Sequence, residues 1–531
     1  MSAVHSFELV LILLAFAVAL AVLARRLGVP TAVVFVLGGM AVAVTPGLHE
    51  IRLDPELMMT LFLPPLLMSS AYFTSWRAFR ANMRPIMLLA VGAVGFTTVT
   101  VGVVAHTLVP GLPWAACFAL GAIVSPPDAV AAASILERLR MPRRIVTVLS
   151  GESLVNDASG LVLYRFAVAA AMTGVFDPVL AIGAFIAVSA GGVVVGLVAG
   201  WLLVWLAPRL RDTHMETAAG FLAAWGSYIA AEQLGASGVL ATVACGVLFG
   251  WRRHEVMSAR TRLEGRATWG FVVFVMDALV FILIGLSLHG VLGRIGPGQA
   301  AVLWPAALAV LATVIVGRFV WVFPSAHLSR LPSVRKRDPA PSAATLTVVS
   351  WAGMRGVVSL AAALALPEGF PGRDTIIVLT FAVILGTVLV QGITLGPLIK
   401  ALGLSQASSG DETPAHKARV AAETAALAAI ELRAQDPLDG AMASDLLAEY
   451  RDRTSVLNLA YAGAGATRSA ARREERTARL ALRLHANAAA RTRLVALARD
   501  GELEDEEMVA VVEELDLEDL RLRRQLGEAV H

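Results

Sequence analysis

The chain has 531 residues, of which 57% are hydrophobic and only 16% charged, and its mean hydropathy is +0.70. A water-soluble globular protein carries roughly 25% charged residues, so this sequence has too few to cover a solvated surface. The net charge of +3 hides a split: residues 411–531 carry −6 and the rest +9. That positive excess lies in loops between apolar runs, which argues against a nucleic-acid partner.

In chain order, apolar runs bounded by charged or Gly/Pro breaks place spans near 7–24, 30–48, 55–73, 84–109, 113–137 and 144–173. Further spans fall near 178–208, 215–232, 237–251, 268–291, 299–327, 342–366 and 375–401. About 20 apolar residues suffice to cross a hydrocarbon core as a helix. The first run, Leu9 to Ala24, lacks a basic leader and a clear small-residue cleavage site, so it reads as a span and not a signal peptide. The sequence thus predicts an all-α membrane protein, with about thirteen transmembrane helices in residues 1–403. Odd-numbered loops hold twenty Lys and Arg residues, whereas even-numbered loops hold only Arg52, Arg294 and Arg373. Cytoplasmic loops carry the basic excess, so the N-terminus is expected outside the cell membrane and the C-terminus in the cytoplasm. Anionic lipid head groups are the expected partners of those loops. Residues 404–531 read as a soluble helical tail. Its Arg-rich stretch 471–499 precedes 502–519, which holds ten acids and no base; opposed charge invites the two to pair as antiparallel helices, and solvated charged faces fit the pattern equally well.

Neither cofactor nor enzyme chemistry is signalled. Cys117 and Cys245 lie inside apolar runs, and the ten histidines make no metal spacing. The serine of GESLV has no glycine two residues on, so it is no nucleophile elbow.

Ionisable residues at membrane depth cost at least ~2.5–3.5 kcal/mol each and are functional candidates by default. They are Asp128, Glu152, Asp157, Arg165, Glu232, Asp277, Arg318 and Arg355. In the fifth span Pro126 and Pro127 stand directly before Asp128, so the helix must break in mid-membrane. In the twelfth, Gly353 and Gly356 flank Arg355. Interrupted helices at matching positions of two halves mark the substrate site of inverted-repeat transporters. Spans 1–6 and 8–13 would be two such six-helix repeats, with spans 5 and 12 as the broken, crossing helices. In the sixth span Ser153, Asn156 and Asp157 share one helical face. Oxygen ligands of this kind suit a hard cation, and the same carboxylate takes a proton when the cation leaves. Glu152 points about 140° away from Asp157 and needs a partner of its own.

The strings FLPPLL (62–67), SPPDAVA (125–131), GESLVNDA (151–158), FILIGL (281–286) and GMRGVVSLA (353–361), in this order on these spans, resemble the NhaP/NHE-like sodium/proton antiporters of the cation:proton antiporter 1 family. The resemblance implies that Asp157 binds cation and proton alternately, assisted by Asn156 and Ser153. An Asn before the Asp goes with electroneutral exchange. Asp128 would neutralise helix ends at the crossing, Arg355 would pair with Glu152, and Asp277 occupies a position often acidic or polar in relatives. A homodimer is implied too. Two departures bear on the transported ion: Ser69 stands where many relatives carry Glu, and Pro127 where many carry Thr. Sodium, lithium and potassium therefore stay open as substrates. So do a channel-like cation path and a regulatory membrane protein that keeps only the fold.

Overall fold

Helix-ending residues sit where the apolar runs stop. Gly28 and Gly174 take left-handed φ values of 70° and 72° just beyond two long helices, a conformation that suits glycine. Asp212, Ser237 and Ser342 cap the starts of three others, accepting from Met215 N–H, Leu240 N–H and Thr345 N–H. The computed structural model describes residues 3–43, 55–128, 132, 135–136, 139, 141–174, 178–210, 212–293, 297–328, 341–404, 414–434, 446–448, 450–451, 466–499 and 505–526. These residues contain helices and no strand.

The chain forms two compact units, Met1–Ala407 and Ser408–His531. In the first, α1 (Ala3–Leu27), α2 (Thr31–Ala43) and α3 (Pro55–Phe73) are followed by the short α4 (Trp76–Ala81). Next come α5 (Met83–Leu108), which passes through a π-helical turn at Leu88–Ala93, and α6 (Trp114–Val124). The long helices α7 (Arg143–Thr173), α8 (Pro178–Leu210), α9 (Thr213–Gln233), α10 (Gly238–Val256), α11 (Ala259–Gly293) and α12 (Pro297–Leu328) lead to two short ones. These are α13 (Ala343–Trp351) and α14 (Val357–Leu364), and α15 (Arg373–Ala401) closes the unit. Helical residues stand at each expected span. By length and hydropathy, six helices among the described residues qualify as membrane-crossing and three shorter ones are apolar.

In lipid, helices associate through close packing of small residues, because the tails are as apolar as leucine. The contact of α2 with α11 shows this. A methyl group on Gly39 would strike the Ile282 carbonyl, and one on Gly285, inside FILIGL, would strike the Val36 carbonyl. The two backbones therefore touch. Arg165 and Glu232 pair at 2.8 Å, both partly exposed, and Glu232 also accepts the Gly238 N–H. That arrangement is a structural tie between α7 and the start of α10.

In the second unit α16 (Pro414–Arg433) precedes α17 (Ala466–Arg499) and α18 (Asp505–Leu526), which pack on each other. Asn487 Nδ2 donates to Asp519 at 2.8 Å, and Arg491 donates to Asp516 at 2.5 Å and Asp519 at 3.2 Å. The numbers rise on one helix as they fall on the other, so the hairpin is antiparallel. Leu480 and Leu522 are buried in it. Leu522→Ala should cost about 2–5 kcal/mol, the range for a buried leucine. In the full chain, hydrogen exchange across 466–499 should then speed up, while the membrane helices keep their protection.

Candidate ion site

Pro126 and Pro127 cannot donate backbone hydrogen bonds, so α6 stops at Val124 and residues 125–128 run outside any helix. The second interruption, Ala352–Gly356, separates α13 from α14. The two breaks bond to each other. Asp128 N–H donates to the Met354 carbonyl at 2.7 Å, and Arg355 Nε donates to the Val124 carbonyl at 2.7 Å. Arg355 Nη1 also donates to the Gly353 carbonyl, and its N–H donates to Thr387 Oγ1 at 3.0 Å. The buried Arg355 thus sits on the Val124 carbonyl at the C-terminal end of α6, where the helix dipole is negative, and on a carbonyl of its own break. The Asp128 carboxylate lies against Gly356, at the positive N-terminal end of α14. A methyl group on Gly356 would overlap that carboxylate. Gly356→Ala is therefore expected to displace Asp128 and cut ion exchange by about 10-fold or more, some 1.4 kcal/mol of barrier, in a reconstituted flux assay.

On α7, which faces the first break, Asn156 Nδ2 donates to the Pro127 carbonyl at 2.8 Å. Asn156 is fully buried, and its Oδ1 has no partner among the described residues. Asp157, the next residue, is 8% exposed. Asp157 and Asp277 both lie within coulombic reach of Asp128. None of the ion pairs among the described residues uses Asp157 or Asp277. The three carboxylates do not converge as ligands of a resident metal would. Asp128, at the break, thus has one acidic neighbour on α7 and another on α11.

Several sequence expectations need revision. Glu152 does not pair with Arg355. Arg318 takes both its oxygens, at 2.6 and 2.7 Å, and donates Nε to the Val349 carbonyl at 3.2 Å. Arg355 is drawn instead to the orphan carbonyls of the breaks. Asp277, at the position often acidic or polar in relatives, stands on the Asp128 side and not beside Glu152 and Arg318. Ser153 lines a small cleft with Pro127, Glu152, Arg318 and Ala352. Ser69 is buried on α3, and no hydrogen bond among the described residues ties it to Asp157 or Asp128. No pattern in the chain points to Thr387, which serves Arg355 from a π-helical turn of α15. Arg318 could have been found as the other buried cation in need of an acid.

Apolar helices interrupted over buried carboxylates, with the breaks bonded to each other, define a multi-pass membrane transporter. The model of the family described as "Sodium/hydrogen exchanger, transmembrane" matches residues 12–401, and the chain belongs to this family of transporters. An uncharacterised sodium/proton exchanger of Mycobacterium tuberculosis is 33% identical over 497 residues, covering 90% of each chain. A sodium, potassium, lithium and rubidium/proton antiporter of Bacillus subtilis is 34% identical, covering 68% of this chain and 56% of its own. The low-affinity sodium/proton antiporter NhaS1 of Synechocystis is 32% identical over 75% of both. The solved structure of the sodium proton antiporter MjNhaP1 from Methanocaldococcus jannaschii shares the fold. Its TM-score is 0.60, over 76% of this chain and all of that one, at 18% identity.

Proposed function

We propose that the chain exchanges sodium, or lithium, for protons across the cell membrane, one for one, with cation and proton competing for Asp157. One observation carries this reading. The Asn156 amide holds the Pro127 carbonyl at the break, while the adjacent Asp157 carboxylate, near Asp128, makes no ion pair among the described residues. A buried carboxylate in that setting is neutralised by a cation or by a proton, and the two exclude each other. Asn156, Ser153 and the Pro127 carbonyl are oxygen donors of the kind a small monovalent cation takes. Asp128 and Arg355 hold the broken helix ends in place.

Potassium is the second substrate to consider. Ser69 supplies no carboxylate, and the Bacillus subtilis relative is named for potassium as well as sodium. Further parts of the proposal are two inverted six-helix repeats, thirteen crossings with the N-terminus outside, a homodimer, and a regulatory role for the helical tail. The test uses purified protein in liposomes made acidic inside, with an internal pH dye. Sodium, lithium, potassium or choline is added in turn, with and without a voltage clamp by valinomycin. Cation-dependent dissipation that ignores voltage supports electroneutral exchange. Voltage-dependent flux points to a channel-like path, and no flux with any cation between about pH 6 and 9 sinks the proposal.

A further inference from the structure

At the end of the membrane unit where basic loops gather, α4, α5, α7, α12 and α13 leave a cavity of about 740 Å³. That volume falls in the roughly 300–1,000 Å³ range of ligand sites. Its floor is apolar, built from Leu88, Leu89, Ile145, Val148, Val322 and Leu346. Its mouth carries Arg80, Arg84 and Arg144, and no acid is among its described lining residues. Arg80 and Arg84 are exposed and enter none of the ion pairs among the described residues. Arg144 Nε donates to Asn82 Oδ1 at 3.2 Å, which fixes the direction of its guanidinium.

We propose that this cavity binds one anionic phospholipid, its phosphate among the three arginines and an acyl chain along the floor. Charge complementarity favours this occupant over the alternatives. A free phosphate satisfies the guanidinium forks but leaves the apolar floor open to water. A zwitterionic lipid fills the floor but leaves Arg80 and Arg84, which enter no ion pair among the described residues, without an anion. The general attraction of cationic loops to anionic head groups is here focused on one built site.

The cavity also reaches the frame of the ion site. Val349 lines it, and the Val349 carbonyl accepts from Arg318 Nε, whose guanidinium grips Glu152 on α7. α7 carries Asn156 and Asp157 four and five residues further on. A lipid seated there braces the ends of α7 and α13 against each other, so exchange should run faster in anionic than in zwitterionic membranes. This second consequence rests on the exchange reading. The binding itself does not.

Binding is therefore read first, without transport, by native mass spectrometry of the delipidated full chain titrated with phosphatidylglycerol, phosphatidylcholine or soluble glycerol phosphate. Wild type should retain one phosphatidylglycerol per chain. R80Q/R84Q/R144Q, changed only at exposed arginines, should bind it at least about 10-fold more weakly. Ala326 also lines the cavity, and Ala326→Trp, which fills the floor and keeps all three cations, should lose it too. Equal binding by wild type and the triple variant would overturn the site. So would full binding by Ala326→Trp, or displacement by equimolar glycerol phosphate, since either would reduce the effect to surface charge.

Discussion

In liposomes made acidic inside, Asp157→Asn is expected to abolish sodium-dependent proton flux, by about 100-fold or more, while the protein still folds. The amide matches the carboxylate in shape but can neither carry the charge that holds a cation nor release a proton. A 100-fold loss corresponds to ~2.7 kcal/mol of barrier. Folding should survive because no ion pair among the described residues depends on Asp157. Competition at one carboxylate also fixes a sign. Lowering pH fills the site with protons, so the apparent KM for sodium should rise, at most 10-fold per pH unit. Ser153→Ala should give a smaller loss, since that hydroxyl lines the cleft beside Pro127 and Glu152. Exchange that persists in Asp157→Asn would remove this residue from the site and, with it, the proposed mechanism.

The second large effect concerns stability. Glu152→Gln or Arg318→Met should each lower stability by about 3–5 kcal/mol, because each leaves one charge buried without its partner. Both side chains are almost wholly buried, at 2% and 3% exposed, so the surviving charge has no route to water. The double variant should recover much of the loss, since replacing both members of a buried pair by groups of similar shape is often near neutral. Thermal unfolding in one detergent, for wild type, both single variants and the double, measures the coupling as a double-mutant cycle. Additive losses would mean that the two residues do not act as a pair. Arg355 should give no such recovery when combined with Glu152→Gln, because its hydrogen bonds run to the carbonyls of Val124 and Gly353.

That contrast marks how far the sequence could be read. The breaks were legible because Pro126 and Pro127 remove donors and because Gly353 and Gly356 interrupt an apolar run. The face shared by Asn156 and Asp157 follows from helical spacing. The partner of Glu152 was not legible. Burial demands a counter-charge for a carboxylate, but two arginines, Arg318 and Arg355, stood at suitable depth, and depth alone does not choose between them. The choice comes from competition: carbonyls orphaned by the breaks lie beside Arg355 and claim its donors, leaving Arg318 for the acid. Thr387 was hidden for a related reason. A threonine in an apolar span reads as a small packing residue, and its acceptance of the Arg355 N–H depends on contacts between segments distant in sequence. The close approach of α2 and α11 at Gly39 and Gly285 is likewise a property of the pair and of neither helix alone.

The bonding of one break to the other bears on how the chain is made. Arg355 lies 231 residues beyond the Val124 carbonyl that it satisfies. At roughly 5–20 residues per second of synthesis, the first break waits some 10–50 s for its complement to leave the ribosome. Through that interval the Val124 carbonyl and the Asp128 N–H lack their final partners, and hydrocarbon offers them none. The nascent first half must therefore stay beside water or the insertion machinery until the second half arrives. Truncation before residue 354 leaves a fragment with no internal means of closing its own helix.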